Sequence, residues 1–312
     1  MVKIAVIGIG GWGKNHVRAL SELNALSAIC DADTSRAETF ANKYDVNSYT
    51  SIDEMLKNET FDGVIISTPS STHFTIAKQL MENGINILVE KPMAPSSTEC
   101  EQMRIIAKRN NVVLATGYIE RFNPVVNEVK NFISEKKYGD VLMLEFHRES
   151  RMPVNIHDVG IIYDTSVHDI NTALYLFDDK PNMVFARAGS VRGTHEDFAA
   201  IILGFKNQKT AFIASNWVTP KKVRQFNVVC TDAIILGDFI TQEIKIDQDG
   251  NTIIPRREVK EPLMLELKNF IGAVYGNVET LISVDDAINT TRVAEAALLS
   301  SKTGSPIYLD LK

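Results

Sequence analysis

The sequence predicts an α/β protein: an N-terminal doubly wound parallel sheet, followed by an α+β domain built on one large, mostly antiparallel, open-faced sheet. Three observations predict it. Over the first 118 or so residues short apolar runs alternate with amphipathic stretches, the pattern of βαβ units whose parallel sheet is covered on both faces. From about Pro181 to Pro255 the chain is mostly strand, as in FAAIILGF, KTAFIASNW, RQFNVVC, DAIILGDF and QEIKID, and such runs of strands form a separate antiparallel layer. The 312 residues suffice for two domains of roughly 150 residues each. The expected domains are 1–118 and 119–312.

The elements follow in order. Strands are expected at Lys3–Ile7, Leu26–Cys30, Gly63–Ser67, Ile85–Val89 and Val112–Ala115. Helices lie between them. SIDE (Ser51 to Glu54) is a capping box, in which the serine oxygen accepts from the glutamate N–H. Gly84 follows FTIAKQLMEN, where a helix C-terminus favours glycine. Beyond Gly117, Asn123–Lys136 and Thr165–Phe177 read as helices. Lys206-Asn207 and Asp249-Gly250-Asn251 mark turns in the strand-rich part. Near the end, Leu263, Leu267, Phe270, Ile271 and Val274 form one helical stripe, and SVDD (Ser283 to Asp286) caps a last helix.

Composition excludes several functions. A net charge of −6 argues against nucleic acid as the partner, because phosphate-backbone binding needs clustered Lys and Arg. Three scattered cysteines, Cys30, Cys100 and Cys230, give neither a disulfide framework nor a zinc spacing, and they suit a reducing cytoplasm. No secretory leader is expected, and no run reaches the roughly 18 apolar residues of a membrane span.

VIGIGGWG follows the first strand directly. Gly8, Gly10 and Gly13 form G-x-G-x-x-G, with Gly11 and Trp12 inside it. The three glycines serve a tight turn, close approach to a pyrophosphate, and helix–strand packing. The helix N-terminus then offers N–H groups to the phosphates. Asp31 closes the second strand at the distance expected of a ribose-binding carboxylate. It would repel a 2′-phosphate, so NAD is favoured over NADP. Arg36 blurs this preference, since it could approach such a phosphate. Ligands of open α/β sheets bind outside the carboxyl ends of the strands. Two further strand ends carry polar residues: STPSSTH, with Thr68, Pro69 and His73, and Glu90-Lys91-Pro92. Pro92 restrains Lys91 to extended backbone and is itself a candidate cis proline.

YDTSVHDIN is the second constellation. Asp164 and His168 are four apart and share a helix face. The carboxylate can orient the imidazole, whose pKa near 6.5 suits a general base. A capping or surface pair is the plainer reading of the same residues. His157 and Asp158 lie nearby, but no compact metal-ligand spacing emerges, and no metal is expected. Tyr118, Arg121 and Asn123 follow the last strand of the first domain. Arg121 has the planar fork that suits a diphosphate. Asn123 with Pro124 equally reads as a helix start.

Together these pieces resemble the Gfo/Idh/MocA oxidoreductases. The resemblance rests on the glycine loop, STPSSTH, EKP, the Asp164-x-x-x-His168 element and the C-terminal EPLMLELKNFIGAV…SVDDAINTTRVAEAALLSS. It implies a Rossmann domain that binds NAD and a C-terminal domain whose open sheet makes a homodimer or homotetramer. It implies that Lys91, Asp164 and His168 surround the reacting carbon. By their place at the strand ends, Thr68, Pro69 and Glu90 are expected to line the cofactor crevice, His73 is a helix-start residue or a cofactor-ribose contact, and Tyr118, Arg121 and Asn123, after the last strand, are expected to face the substrate. The stretches GIGGWGKNHVRAL and GYIERFNPVV are similar to a branch that oxidises C3 of UDP-N-acetylglucosamine or its uronic acid. A UDP-sugar is then the expected small-molecule substrate. A free-sugar or inositol dehydrogenase and a non-catalytic dinucleotide sensor are the alternatives. Ser166 stands where many relatives carry glycine.

Overall fold

A computed structural model describes residues 2–153 and 158–311. His157 lies outside the described residues. By its contacts the chain divides into two compact units, Met1–Gly117 with Leu263–Ala287, and Tyr118–Pro262 with Ile288–Lys312. The sequence suggests a contiguous second domain from 119, whereas the contacts group Leu263–Ala287 with the first unit.

The first unit alternates β1 (Ile4–Ile7), α1 (Gly13–Glu22), β2 (Leu26–Cys30), α2 (Thr34–Tyr44), β3 (Asn47–Tyr49), α3 (Ile52–Asn58), β4 (Gly63–Ile66), α4 (His73–Glu82), β5 (Asn86–Glu90), α5 (Ser97–Asn110) and β6 (Leu114–Gly117). All strand pairs are parallel, and the sheet order is β3-β2-β1-β4-β5-β6. This order reverses direction between β1 and β4, which creates a binding crevice at the carboxyl ends. β1, β4 and β6 are buried at every position, as a sheet covered on both faces requires. The expected signals operate. Ser51 Oγ accepts from the Glu54 N–H at 3.4 Å. Gly84 takes φ +74 just past α4, a conformation that costs glycine little. The short strand β3, NSY, was not expected. It has too few apolar residues to announce itself, and pairing with β2 defines it.

The second unit holds α6 (Pro124–Ser134), β7 (Val141–Glu149), α7 (Val167–Phe177), β8 (Met183–Gly189), β9 (Phe198–Gly204), β10 (Thr210–Asn216), β11 (Val223–Cys230), β12 (Ile234–Asp238), β13 (Ile244–Gln248) and β14 (Asn251–Ile253). The chain ends with α8 (Pro262–Val274), α9 (Val284–Thr303) and β15 (Ile307–Tyr308). Nine strands form one sheet, β14-β13-β12-β11-β7-β10-β9-β8-β15. Only β7 and β10 pair in parallel; the other neighbours are antiparallel. One face is the core, with Leu144, Phe146, Ile201, Ile213, Phe226 and Val228 fully buried. Asp249 and Gly250 both take positive φ, the hairpin turn that matches strand twist.

Candidate active site

In the first unit three strand ends converge. At Gly8, φ is +85, and a Cβ would lie 2.7 Å from the Ser67 carbonyl oxygen. The turn that leaves β1 therefore rests directly on the end of β4. A Cβ on Gly13 would collide with the Gly8 carbonyl, so α1 starts against the turn itself. Around Gly10 a Cβ would meet nothing within 4 Å. That open side, beside a helix start that no described side chain caps, fits a pyrophosphate held by backbone N–H groups. The residues present thus fit a dinucleotide.

Asp31 stands at the end of β2, 7% exposed. Its carboxylate accepts from the N–H of Ile9 at 2.7 Å and of Asp33 at 2.9 Å, and from the Arg36 fork at 2.9 and 3.1 Å. Burial alone would raise its pKa, but Arg36 and the two N–H groups outweigh burial and hold it below the ordinary carboxylate range. Arg36 is thereby bound to the carboxylate that the sequence reserves for a ribose.

At the end of β5, Glu90 ties two elements together. It accepts from Trp12 Nε1 at 2.6 Å, lies 2.7 Å from His16 Nε2, and accepts from the Lys91 N–H at 3.2 Å. A Cβ on Gly117 would lie 2.9 Å from its carboxyl. Trp12 and Glu90, both expected at the cofactor, therefore contact each other. The Lys91–Pro92 peptide is cis, and Lys91 itself is half-buried. Thr68 packs its methyl against Gly8, and its hydroxyl lies 2.7 Å from that of Thr72, which donates to the carbonyl of Pro69. His73 is 1% exposed, with Nδ1 2.8 Å from the Pro92 carbonyl and Nε2 3.0 Å from the Thr68 carbonyl. It joins the loops after β4 and β5, and both ring nitrogens are taken by backbone.

The sequence reading missed two residues here. His16 is fully buried, one helical turn beyond Trp12. Glu266 is 1% exposed, and neither carboxylate oxygen has a hydrogen-bond partner among the described residues. Burial, and then the Glu90 charge, push its pKa well above the usual carboxylate range. Its signal was legible: a glutamate inside the apolar stripe Leu263-Leu267-Phe270. Those three are buried with it, whereas Ile271 and Val274 are only half-buried.

In the second unit, Asp164 lies on a π-helical turn, Ile162–Ser166, that runs into α7. The expected α-helix is locally wider, a distortion frequent at functional sites. Asp164 accepts from the Thr165 hydroxyl at 3.0 Å. His168 and Asp164 are both half-buried. The rings of Tyr118 and His168 meet edge to face, with centroids 6.3 Å apart. Ser166, fully buried, bonds Ser215 Oγ at 3.0 Å and so pins this turn to β10. Arg148 on β7 pins the next turn. It grips Asp169 through three contacts of 2.7 to 3.0 Å and donates to Glu120 at 2.9 Å. All three are under 9% exposed.

Arg121 and Asn123 are both buried and make contacts within the unit. Arg121 is 4% exposed, donates to Asn171 Oδ1 at 3.3 Å and stacks 3.8 Å from the Tyr175 ring centroid. Asn123 caps α6 at Val125 and donates to Glu120 and to the Phe239 carbonyl. Both are committed to packing within the unit.

Two family models match the chain. "Oxidoreductase family, NAD-binding Rossmann fold" covers residues 2–118, and "GFO/IDH/MocA C-terminal domain" covers 126–236. The chain belongs to the Gfo/Idh/MocA family of oxidoreductases. Its first unit is an NAD-binding Rossmann domain, and the enzyme acts on CH–OH groups. Among Gfo/Idh/MocA relatives, UDP-N-acetylglucosamine 3-dehydrogenase of Acidithiobacillus ferrooxidans is 25% identical over 307 residues, 95% of each chain. Its solved structure superposes with a TM-score of 0.89 at 23% identity, over 97% of this chain and 98% of that one. The scyllo-inositol 2-dehydrogenase (NAD(+)) of Bacillus subtilis is 26% identical, over 100% of this chain and 97% of its own. An oxidoreductase from Agrobacterium radiobacter, solved with NAD+, L-tartaric acid and magnesium, gives a TM-score of 0.90 at 19% identity, over 98% of both chains. Among the described residues no helix is long and apolar enough to cross a membrane.

Proposed function

We propose that this protein oxidises a sugar-nucleotide hydroxyl to a ketone, C3 of UDP-N-acetylglucosamine or of its uronic acid, with NAD as hydride acceptor. The carrying observation is the 25% identity to a UDP-N-acetylglucosamine 3-dehydrogenase across 95% of each chain. Bound nicotinamide supplies the hydride acceptor at its C4. The remaining work falls to side chains. His168 takes the hydroxyl proton as general base. Asp164, one turn earlier, orients its ring. Lys91 donates to the reacting oxygen and stabilises developing alkoxide charge. His73 holds Lys91 in place through the Pro92 carbonyl. Ser166, in place of the glycine of many relatives, is accommodated because its hydroxyl has the Ser215 partner.

We place the enzyme in the cytoplasm, on the strength of three buried free cysteines. It works as a homodimer or homotetramer through the sheet face opposite the core, which carries Leu142, Phe185, Ile202 and Phe212 at least partly exposed. Nucleic acid and membrane are not partners in this reading.

The test is mass spectrometry of UDP-N-acetylglucosamine incubated with protein and NAD, with hydroxylamine to trap a ketone. The expected product is the oxime of a sugar lighter by two hydrogens, formed with NADH and lost in Lys91→Ala. Absence of product, with NAD bound, removes this substrate. The second reading, an inositol or free-sugar dehydrogenase, then leads. It rests on the 26% identity to the inositol enzyme across the whole chain, and the same assay with inositols tests it.

A further inference from the structure

A cationic pair, Lys222 and Arg224, stands beside the Asp164–His168 element with no role in the chemistry above. Its position follows from strand register. Ser215 on β10 pairs with Arg148 on β7, and Arg148 pairs with Arg224 on β11. Directly paired residues project from the same face, so Ser215, Arg148 and Arg224 form one row across three strands. The row spans about 10 Å at two strand spacings. Its first member bonds Ser166, its second holds Asp169, and both of these belong to the catalytic element. Arg224 is the third member, on the same face and at the same level.

The charges in this row are unevenly satisfied. Arg148 is buried and saturated by Asp169 and Glu120. Among the described residues Arg224 has one ion pair, 3.6 Å from the Glu120 Oε1 that Arg148 already holds, and 40% of its side chain stays exposed. Lys222, two residues earlier and just before β11, is exposed. Asp169, already held by Arg148, and Asp164 are the further carboxylates that act on Arg224. Like charge crowds here: Arg224 first, and then burial, lower the pKa of Lys222. Burial first, and then Arg148, lower that of Arg224. A bound anion relieves both.

We infer that Lys222 and Arg224 form the subsite for the phosphoryl oxygens of the substrate, reached from the row that carries the catalytic turn. The inference rests on the reading that the substrate is a phosphorylated sugar, and it moves the diphosphate role from the packed Arg121 to Arg224. A half-buried guanidinium fork beside an ammonium suits a diphosphate or a hexose phosphate, and a neutral polyol has no use for either charge.

The experiment is calorimetric titration of the full chain, saturated with NAD, using UDP, glucose 6-phosphate and N-acetylglucosamine as probes. Wild type is expected to bind a phosphorylated probe. The Lys222→Gln/Arg224→Gln variant is expected to lose about tenfold or more in affinity, from two charge-assisted contacts. Glu120 keeps Arg148 and Asn123 in that variant, so the buried network stays paired. Lys222→Gln alone, at an exposed residue, is a second variant free of any folding effect and should weaken binding in the same direction. Arg224→Lys should recover part of the loss.

The outcomes separate the two readings. Binding of glucose 6-phosphate but not UDP, lost in the variant, keeps the subsite and removes the sugar-nucleotide substrate. Equal affinity of variant and wild type for UDP overturns the subsite and leaves the ketone-trapping result untouched. Failure of wild type to bind either phosphorylated probe also overturns it.

Discussion

Replacing Glu266 by glutamine should stabilise the protein, by an amount that grows with pH. Glu266 is a buried acid with no partner for its oxygens among the described residues and a second carboxylate, Glu90, for a neighbour. Glu90 collects N–H donors from Trp12 and Lys91 and the His16 ring, so Glu90 carries the negative charge and Glu266 keeps its proton. The sign follows from proton counting. A group whose folded pKa is raised contributes fully below its unfolded pKa, about 4.3 for glutamate. Its contribution is lost as pH rises towards the folded value. Above about pH 4.3 the unfolded chain releases the proton and the folded chain does not, so wild-type stability falls by about 1.4 kcal/mol per pH unit from this residue alone. Glutamine has nearly the same shape and nothing to release. The stability difference should therefore widen as pH rises above about 4.3, and level off where folded Glu266 ionises. Urea unfolding of both proteins at several pH values measures it. A difference that does not vary with pH, or a variant less stable than wild type at pH 7, would refute the reasoning.

Three further outcomes are expected. Asp31→Asn should weaken NAD roughly tenfold to a hundredfold, the value of a charge-assisted hydrogen bond, read by NAD titration. Because the Asp31 pKa is lowered, its stabilisation is present above the unfolded value of about 3.9 and lost as pH falls; the variant should show a smaller acid-side loss of stability. Ser166→Ala leaves the buried Ser215 hydroxyl without that bond. It should cost about 1 to 2 kcal/mol and lower kcat while the NAD affinity holds, seen by pairing steady-state kinetics with titration. Arg148→Met strands Asp169 as a buried carboxylate and leaves Glu120 to Asn123 and Arg224. A loss of about 3 to 5 kcal/mol is expected in urea unfolding, and an unchanged midpoint would contradict the network.

Local patterns made much of this molecule readable in one dimension. The glycine loop works by backbone conformation and by lacking Cβ atoms, both local properties. The apolar runs of β1 and β4, the capping serines Ser51 and Ser283, and the turn at Asp249-Gly250 act within a few residues. The pairing of Trp12 with Glu90, of Ser166 with Ser215, and of Arg148 with Asp169 joins residues far apart in sequence or on different elements. No periodicity announces them. Arg121 shows how a tertiary contact adds to a local signal: its residue type and place suggested a diphosphate, and the fold also stacks it on Tyr175.

The sequence by itself determined the α/β class, the parallel and antiparallel layers and the dinucleotide loop, and it singled out Lys91, Asp164 and His168 as candidates for chemistry. These follow from short-range sterics, apolar periodicity and intrinsic side-chain acidity. Only the tertiary structure decided how each group is held and charged. It set Glu266 beside Glu90, turned Arg36 onto Asp31, widened the turn at Asp164, and aligned Arg224 with Arg148 and Ser215 across three strands. The reason is physical: desolvation and Coulomb interaction depend on which distant segments surround a group, and strand register, which no single segment contains, chooses those neighbours.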